Sequence, residues 1–178
     1  LTVSRLWPAK NLDRALESFR TVLRDFPDAH YLIVGDGPSK QNLANYAKTL
    51  GISQQAVFVG EVPVSELPLY YAACDLFLFP AIGEPWGLAP LEAMARGRPV
   101  VVSNKGGPSE YVDHQKTGIL VDPLDPSAIA NSVKTLLEDP DLSRCIGRAA
   151  ADAVARRFSG KHHAEQVLEL YHQCLDRK

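Results

Sequence analysis

Cysteine is scarce: Cys74, Cys145 and Cys174 stand far apart with no Cys-x-x-Cys pair. That argues against both a disulfide framework and a cysteine zinc site, and makes a reducing, cytoplasmic setting the expectation. Charge of one sign is also lacking, with 19 Lys and Arg against 21 Asp and Glu and a formal net charge of -2. A nucleic-acid partner needs a basic field and is not expected; any anion site must be built locally. Long apolar runs are missing too, since the most apolar stretch, 70–82, is interrupted by Asp75 and Pro80 and cannot span a bilayer. The opening LTVSRLWPAK lacks Met, and no basic segment leads into an apolar one. It does not read as a signal peptide, and the chain is expected to be a piece of a longer protein.

What is present is apolar content with a regular rhythm. Hydrophobic residues make up 46% of the 178, which suits one domain over 1–178 better than two with separate cores. Leu12, Ala15, Leu16, Phe19, Val22, Leu23 and Phe26 recur at helical spacing, with Asn11 as the expected N-cap and Pro27 as the stop. A short apolar run at 31–34 then leads through Gly-Asp-Gly-Pro into a helical pattern over 39–50. The alternation continues with strands at 56–60, 75–80, 99–103 and 118–121 and helices over 65–73 and 87–96. Strands alternating with helices predict a doubly wound, Rossmann-like α/β domain with a parallel sheet buried on both faces. Three successive helical patterns, led by Ile129, Leu142 and Ala164, form a helical C-terminal tail.

In such sheets ligands sit beyond the carboxyl ends of the strands, which selects the loops after each strand. The richest is EPWGLAPLEAMARGRPV, where Glu84 lies in a loop and Glu92 about one and a half turns into the next helix. Gly87, Leu88 and Ala89 open that helix, whose free N–H groups and partial charge of roughly +0.5 suit a phosphate. Glycine at 87 lets an anion approach the backbone.

Glu-x7-Glu followed by Ala-Met-Ala-x-Gly-x-Pro-Val resembles the donor-binding segment of retaining glycosyltransferases of the GT-B fold, family 4. SRLWPAKN, LIVGDGP, VFVGEVP and NKGGPSEYV resemble other segments of the same domain, so the likeness covers nearly the whole chain. It implies that Glu84 binds hydroxyls of the donor sugar and Glu92 the ribose. Arg5 and Lys10 would neutralise the diphosphate, assisted by the backbone of Gly87, Leu88 and Ala89, and the backbone near Val62 would read the base. Two cations and a helix N-terminus can do the work of a metal at the leaving group, so metal independence is expected, with a nucleoside-diphosphate sugar such as a UDP or GDP sugar as donor and no cofactor. The acceptor would be held by an N-terminal domain that this chain does not contain, and peripheral membrane association would come through that domain. Ser4, Asn11 and Trp86 depart from the residues usual in the family at those positions.

Each signal has a plainer reading. Glu92 and Arg96 are spaced for a helical ion pair, Arg5 could pair with Asp36, and Lys105 is a weaker candidate for the phosphate field. Glu110 could cap a short helix. Gly-Asp-Gly-Pro, with Glu61 ending the next strand, allows a dinucleotide-binding reading. Asp139-Pro140-Asp141 could be a metal motif but fits a helix cap better, and His162, His163 and His172 lack metal-ligand spacing. Cys74 reads as a small core side chain. The rival functions are a GT-B-like sugar-nucleotide epimerase and a non-enzymatic nucleotide- or dinucleotide-binding module. The last helix could pack on this domain or cross to the absent one, with the latter favoured by the resemblance.

Overall fold

The computed structural model describes residues 1–175, apart from the side chain of Lys161; residues 176–178, the end of the expected single domain, lie outside the described residues. Six short strands, β1 (Thr2–Val3), β2 (Tyr31–Val34), β3 (Ala56–Gly60), β4 (Phe77–Phe79), β5 (Val100–Ser103) and β6 (Ile119–Val121), alternate with α1 (Leu12–Val22), α2 (Lys40–Thr49), α3 (Leu67–Ala73), α4 (Leu88–Ala95) and α5 (Pro108–Tyr111). Then follow α6 (Pro126–Glu138), α7 (Pro140–Arg157) and α8 (Gly160–Leu175). The strands pair in parallel as β1-β2-β3 and β4-β5-β6, with Thr2 opposite Ile33, Tyr31 opposite Ala56, Phe77 opposite Val100 and Val101 opposite Ile119.

The two sheets meet edge to edge at β1 and β4. Leu78 N donates to Leu1 O at 2.8 Å, the Thr2 hydroxyl donates to Leu78 O, and the Tyr31 and Thr2 hydroxyls are 2.6 Å apart. The spatial order is therefore 3-2-1-4-5-6, and the loops leaving β1 and β4 diverge to open a crevice at the seam.

Period-two alternation divides the apolar side chains between two cores. Leu78 and Val101 join Leu16, Phe19, Ile33 and Ile129 under α1 and α6, whereas Phe77, Phe79, Val100 and Val102 join Tyr71, Met94 and Tyr111 on the side of α3, α4 and α5. Burial on both faces holds for the central strands β4 and β5. It fails at β3, an edge strand where Val57 is 39% exposed.

Asn11 differs from the expected N-cap. Its backbone is left-handed at φ 57° and its side chain caps nothing; instead Nδ2 donates to Pro80 O at 3.1 Å and Pro123 O at 2.6 Å. This buried amide ties the start of α1 to the loops after β4 and β6, a job that depends on neighbours distant in sequence. The helix also ends at Val22, earlier than Pro27, although Leu23 N and Phe26 N still bond Phe19 O and Val22 O. Caps do form at Asp125 and Asp139, each accepting two backbone N–H groups ahead of a proline at the helix start. Asp139-Pro140-Asp141 is thus a helix start, and among the described residues no group of three His, Cys, Asp or Glu side chains could hold a metal ion.

Candidate active site

At the β1–β4 seam a cavity of about 490 Å³ is lined by Ser4, Arg5, Trp7 and Lys10 from the β1–α1 loop, Phe79 and Glu84 from β4 and its loop, and Gly87, Leu88 and Ala89 at the start of α4. Six of the eight residues that the sequence nominates for phosphate, sugar, ribose or base contacts therefore share one space. Lys10 Nζ donates to Glu84 Oε2 and sits 5.4 Å from the centre of the Phe79 ring. Both partners are largely covered, with side-chain exposures of 22% and 15%.

Glu84 is held by its backbone. Gly107 N donates to Glu84 O at 2.7 Å, and a Cβ on Gly106 would fall 2.6 Å from that same oxygen. The glycine pair in NKGGPSE thus lets the loop after β5 lie directly against the loop after β4. Gly87 has φ 82°, its carbonyl accepts the Tyr111 hydroxyl at 2.8 Å, and a Cβ there would meet Glu84 Cγ at 3.4 Å. Burial, with a contribution from the Glu84 charge, pushes the Tyr111 phenol above its ordinary range, so it stays a donor to Gly87. Beside Tyr111 and Phe158, Trp86 completes an aromatic cluster with ring centres 5.4 and 5.9 Å away.

The Arg5 guanidinium is exposed and pairs with no described residue. The expected alternative, Asp36, is taken instead by Lys40 Nζ at 2.6 Å and by Gly37 N, and the Lys40 bond first holds its carboxyl below the usual range. Lys105 pairs with Asp122 at 3.1 Å. Sequence reasoning passed over the Ser4 hydroxyl, which is buried without a hydrogen-bond partner in a residue lining the cavity. The only signal for it was the departure from the family's usual glycine.

Glu92 and Val62 lie outside this cavity. Glu92 borders a second space of about 580 Å³ with Arg96 and Phe158, and Leu88 is common to both. The expected Glu92–Arg96 ion pair does not form: Arg96 donates to the Glu92 carbonyl at 3.1 Å, while Tyr71 OH donates to Glu92 Oε2 at 2.7 Å. Val62 follows β3 and packs partly buried against the core on the α3 side.

The glycines of the Gly-Asp-Gly-Pro turn after β2 are packed directly against the β1–α1 loop. Ser39 N at the start of α2 donates to Leu6 O at 2.9 Å, and Cβ atoms on Gly35 and Gly37 would fall 1.9 Å from Ser4 O and 2.7 Å from Leu6 O. The β1–α1 backbone therefore covers the glycine pair, while Ser39 and Asn42 at the start of α2 border a separate space of about 380 Å³.

Residues 1–153 match the model for the family described as "Glycosyl transferases group 1". This chain belongs to the group 1 glycosyltransferases. A relative, the GDP-mannose-dependent alpha-(1-6)-phosphatidylinositol monomannoside mannosyltransferase of Mycolicibacterium smegmatis, is 38% identical, the alignment covering 94% of this chain and 46% of that protein. The D-inositol 3-phosphate glycosyltransferase of Corynebacterium urealyticum is 36% identical over 95% of this chain and 41% of its own length. The chain thus spans less than half the length of these two relatives. Among solved structures, HepE of Anabaena in complex with UDP superposes with a TM-score of 0.88 at 27% identity, covering 97% of this chain and 48% of that one. The C-terminal domain of LpcC, a group 1 family protein of Francisella tularensis, superposes with a TM-score of 0.82 at 25% identity, with 89% of this chain and 85% of that domain covered.

Proposed function

We propose that the chain is the donor-binding half of a retaining glycosyltransferase, which binds a nucleoside-diphosphate sugar and presents it to an acceptor held by an N-terminal domain. The observation that carries this reading is the convergence of Arg5, Lys10, Glu84 and the start of α4 on one cavity at the sheet's switch point. Breaking the bond between the sugar and its diphosphate places negative charge on the leaving oxygen. Lys10, Arg5 and the N–H groups at 87–89 oppose that charge, so no metal is needed. Glu84 accepts sugar hydroxyls, and the sugar is delivered to the acceptor oxygen with retention. Glu92 accepts ribose hydroxyls, and the backbone near Val62 reads the base.

The nucleotides differ, GDP-mannose in the name of one relative and UDP in the HepE complex, so the base is to be measured. Among the described residues no helix is long and apolar enough to cross a membrane. The reading assigns the donor half to the cytoplasm and any peripheral membrane contact to the acceptor domain. Calorimetric titration of residues 1–178 with UDP, GDP and ADP and with the matching nucleosides, in EDTA, tests it. One diphosphate should bind more tightly than its nucleoside, unaffected by EDTA. Equal affinities would remove the phosphate role, and loss of binding in EDTA would remove metal independence.

A further inference from the structure

Tyr71 lies in α3, almost fully buried at 1% exposure, with its ring 5.7 Å from Phe77. A buried phenol needs a hydrogen-bond partner, and this one donates to Glu92 Oε2 on the facing helix α4. The phenol is held well above its ordinary range, first by burial and then by the carboxylate it touches, so it remains a donor. Arg96, the cation nearest in sequence, is turned elsewhere: its guanidinium lies over the Tyr71 ring, 5.3 Å from the centroid, and donates to the Glu92 carbonyl. The Glu92 carboxylate thus meets a neutral donor at one oxygen and no described partner at the other.

We infer that Tyr71 is a positioning residue for donor recognition, fixing Glu92 so that its second oxygen accepts the ribose hydroxyls of the nucleotide. This rests on the reading of Glu92 as the ribose contact. The arrangement suits that task on two counts. A carboxylate tied by a neutral hydroxyl keeps its full charge as an acceptor, whereas pairing with Arg96 would spend that charge on the guanidinium. The bond also ties α4 to α3, the helix that follows the loop carrying Val62. Sequence spacing alone points to Arg96 as the partner of Glu92; only the packing of α3 on α4 brings in Tyr71.

The test uses residues 1–178 and measures affinities for UDP, GDP and ADP and for their 2′,3′-dideoxy counterparts. In the unaltered chain the ribonucleotide that binds should do so about tenfold more tightly than its dideoxy form, and Glu92→Gln should erase that preference. Tyr71→Phe keeps the ring in the core and should cut the preference to about twofold, chiefly by weakening the ribonucleotide, with dideoxy binding little changed. In a Glu92→Gln background Tyr71→Phe should then have no further effect. An unchanged ribose preference in Tyr71→Phe overturns the inference, and so does equal weakening of ribo and dideoxy ligands together with a lowered melting temperature, the mark of a purely structural role. If the unaltered chain binds no nucleotide, or binds ribo and dideoxy forms alike, the reading of Glu92 itself fails and the inference falls with it.

Discussion

The turn after β2 and the turn after β4 both carry the chain from a buried strand through glycine into a helix, yet only the second opens on the cavity at the β1–β4 seam. After β2, Gly35 and Gly37 lie against Ser4 and Leu6, and the first amide of the turn into α2 is spent on Leu6 O. After β4, the nearby loop from β5 binds the backbone of Glu84 instead, and the start of α4 faces an open cavity. The same local chemistry thus serves packing in one place and the wall of the candidate site in the other. What separates them is which segment fills the concave side, and that is decided by strand order. β1 stands between β2 and β4, and its loop leans over the β2 turn, leaving its cationic side chains toward β4.

The largest effect that would separate the two turns is Gly35→Ala. A Cβ placed 1.9 Å from Ser4 O at φ 124° has no room to relax into, and the chain should lose about 4 kcal/mol or more of stability. Denaturant unfolding checks this; near-neutral stability would mean that the β1–α1 loop is not the filler of that turn. Glu84→Ala in the full-length protein should reduce glycosyl transfer about 10²-fold. Affinity for the nucleoside diphosphate should hold or rise, since Lys10 loses a competing carboxylate; lost nucleotide binding would contradict the sugar assignment. Lys10→Ala should weaken diphosphate binding about tenfold with nucleoside binding unchanged, and parallel losses would show that Lys10 does not meet phosphate. The smallest effect belongs to Gly87→Ala. Its Cβ meets side-chain atoms at 3.2 to 3.4 Å and not backbone, so the loss should be chiefly the roughly 1 kcal/mol that a residue other than glycine costs at φ 82°. A loss as large as that of Gly35→Ala would erase the distinction between the turns.

The parts of the molecule governed by local pattern were legible in the sequence. The stripe of Leu12, Leu16 and Phe19, the Val-rich β5 and the Asp139-Pro140 start of α7 all form where periodicity and cap chemistry put them. The gathering of Arg5, Lys10, Glu84 and Gly87 was legible through strand-end logic together with the family resemblance. What could not be read were the partners set by contacts across 20 or more residues. Asn11 reads as a cap and serves as a clamp on Pro80 and Pro123. Arg96 reads as the partner of Glu92 and yields to Tyr71, because the i, i+4 rule knows nothing of a neighbouring helix. The exposure of Val57 likewise follows from β3 being an edge, which no single strand's sequence declares.

The chain contains two tryptophans, Trp7 in the cavity wall and Trp86 immediately before Gly87. Both indoles therefore flank the candidate site and none reports from the distant core. Intrinsic emission becomes a label-free gauge of this one region: a nucleotide entering beside Trp7, or a shift of α4 against the Trp86, Tyr111 and Phe158 cluster, should change intensity or wavelength with no dye attached. Replacing each tryptophan by phenylalanine in turn would resolve the two signals, so a stopped-flow trace could time the arrival of the ligand separately from any settling of the helix.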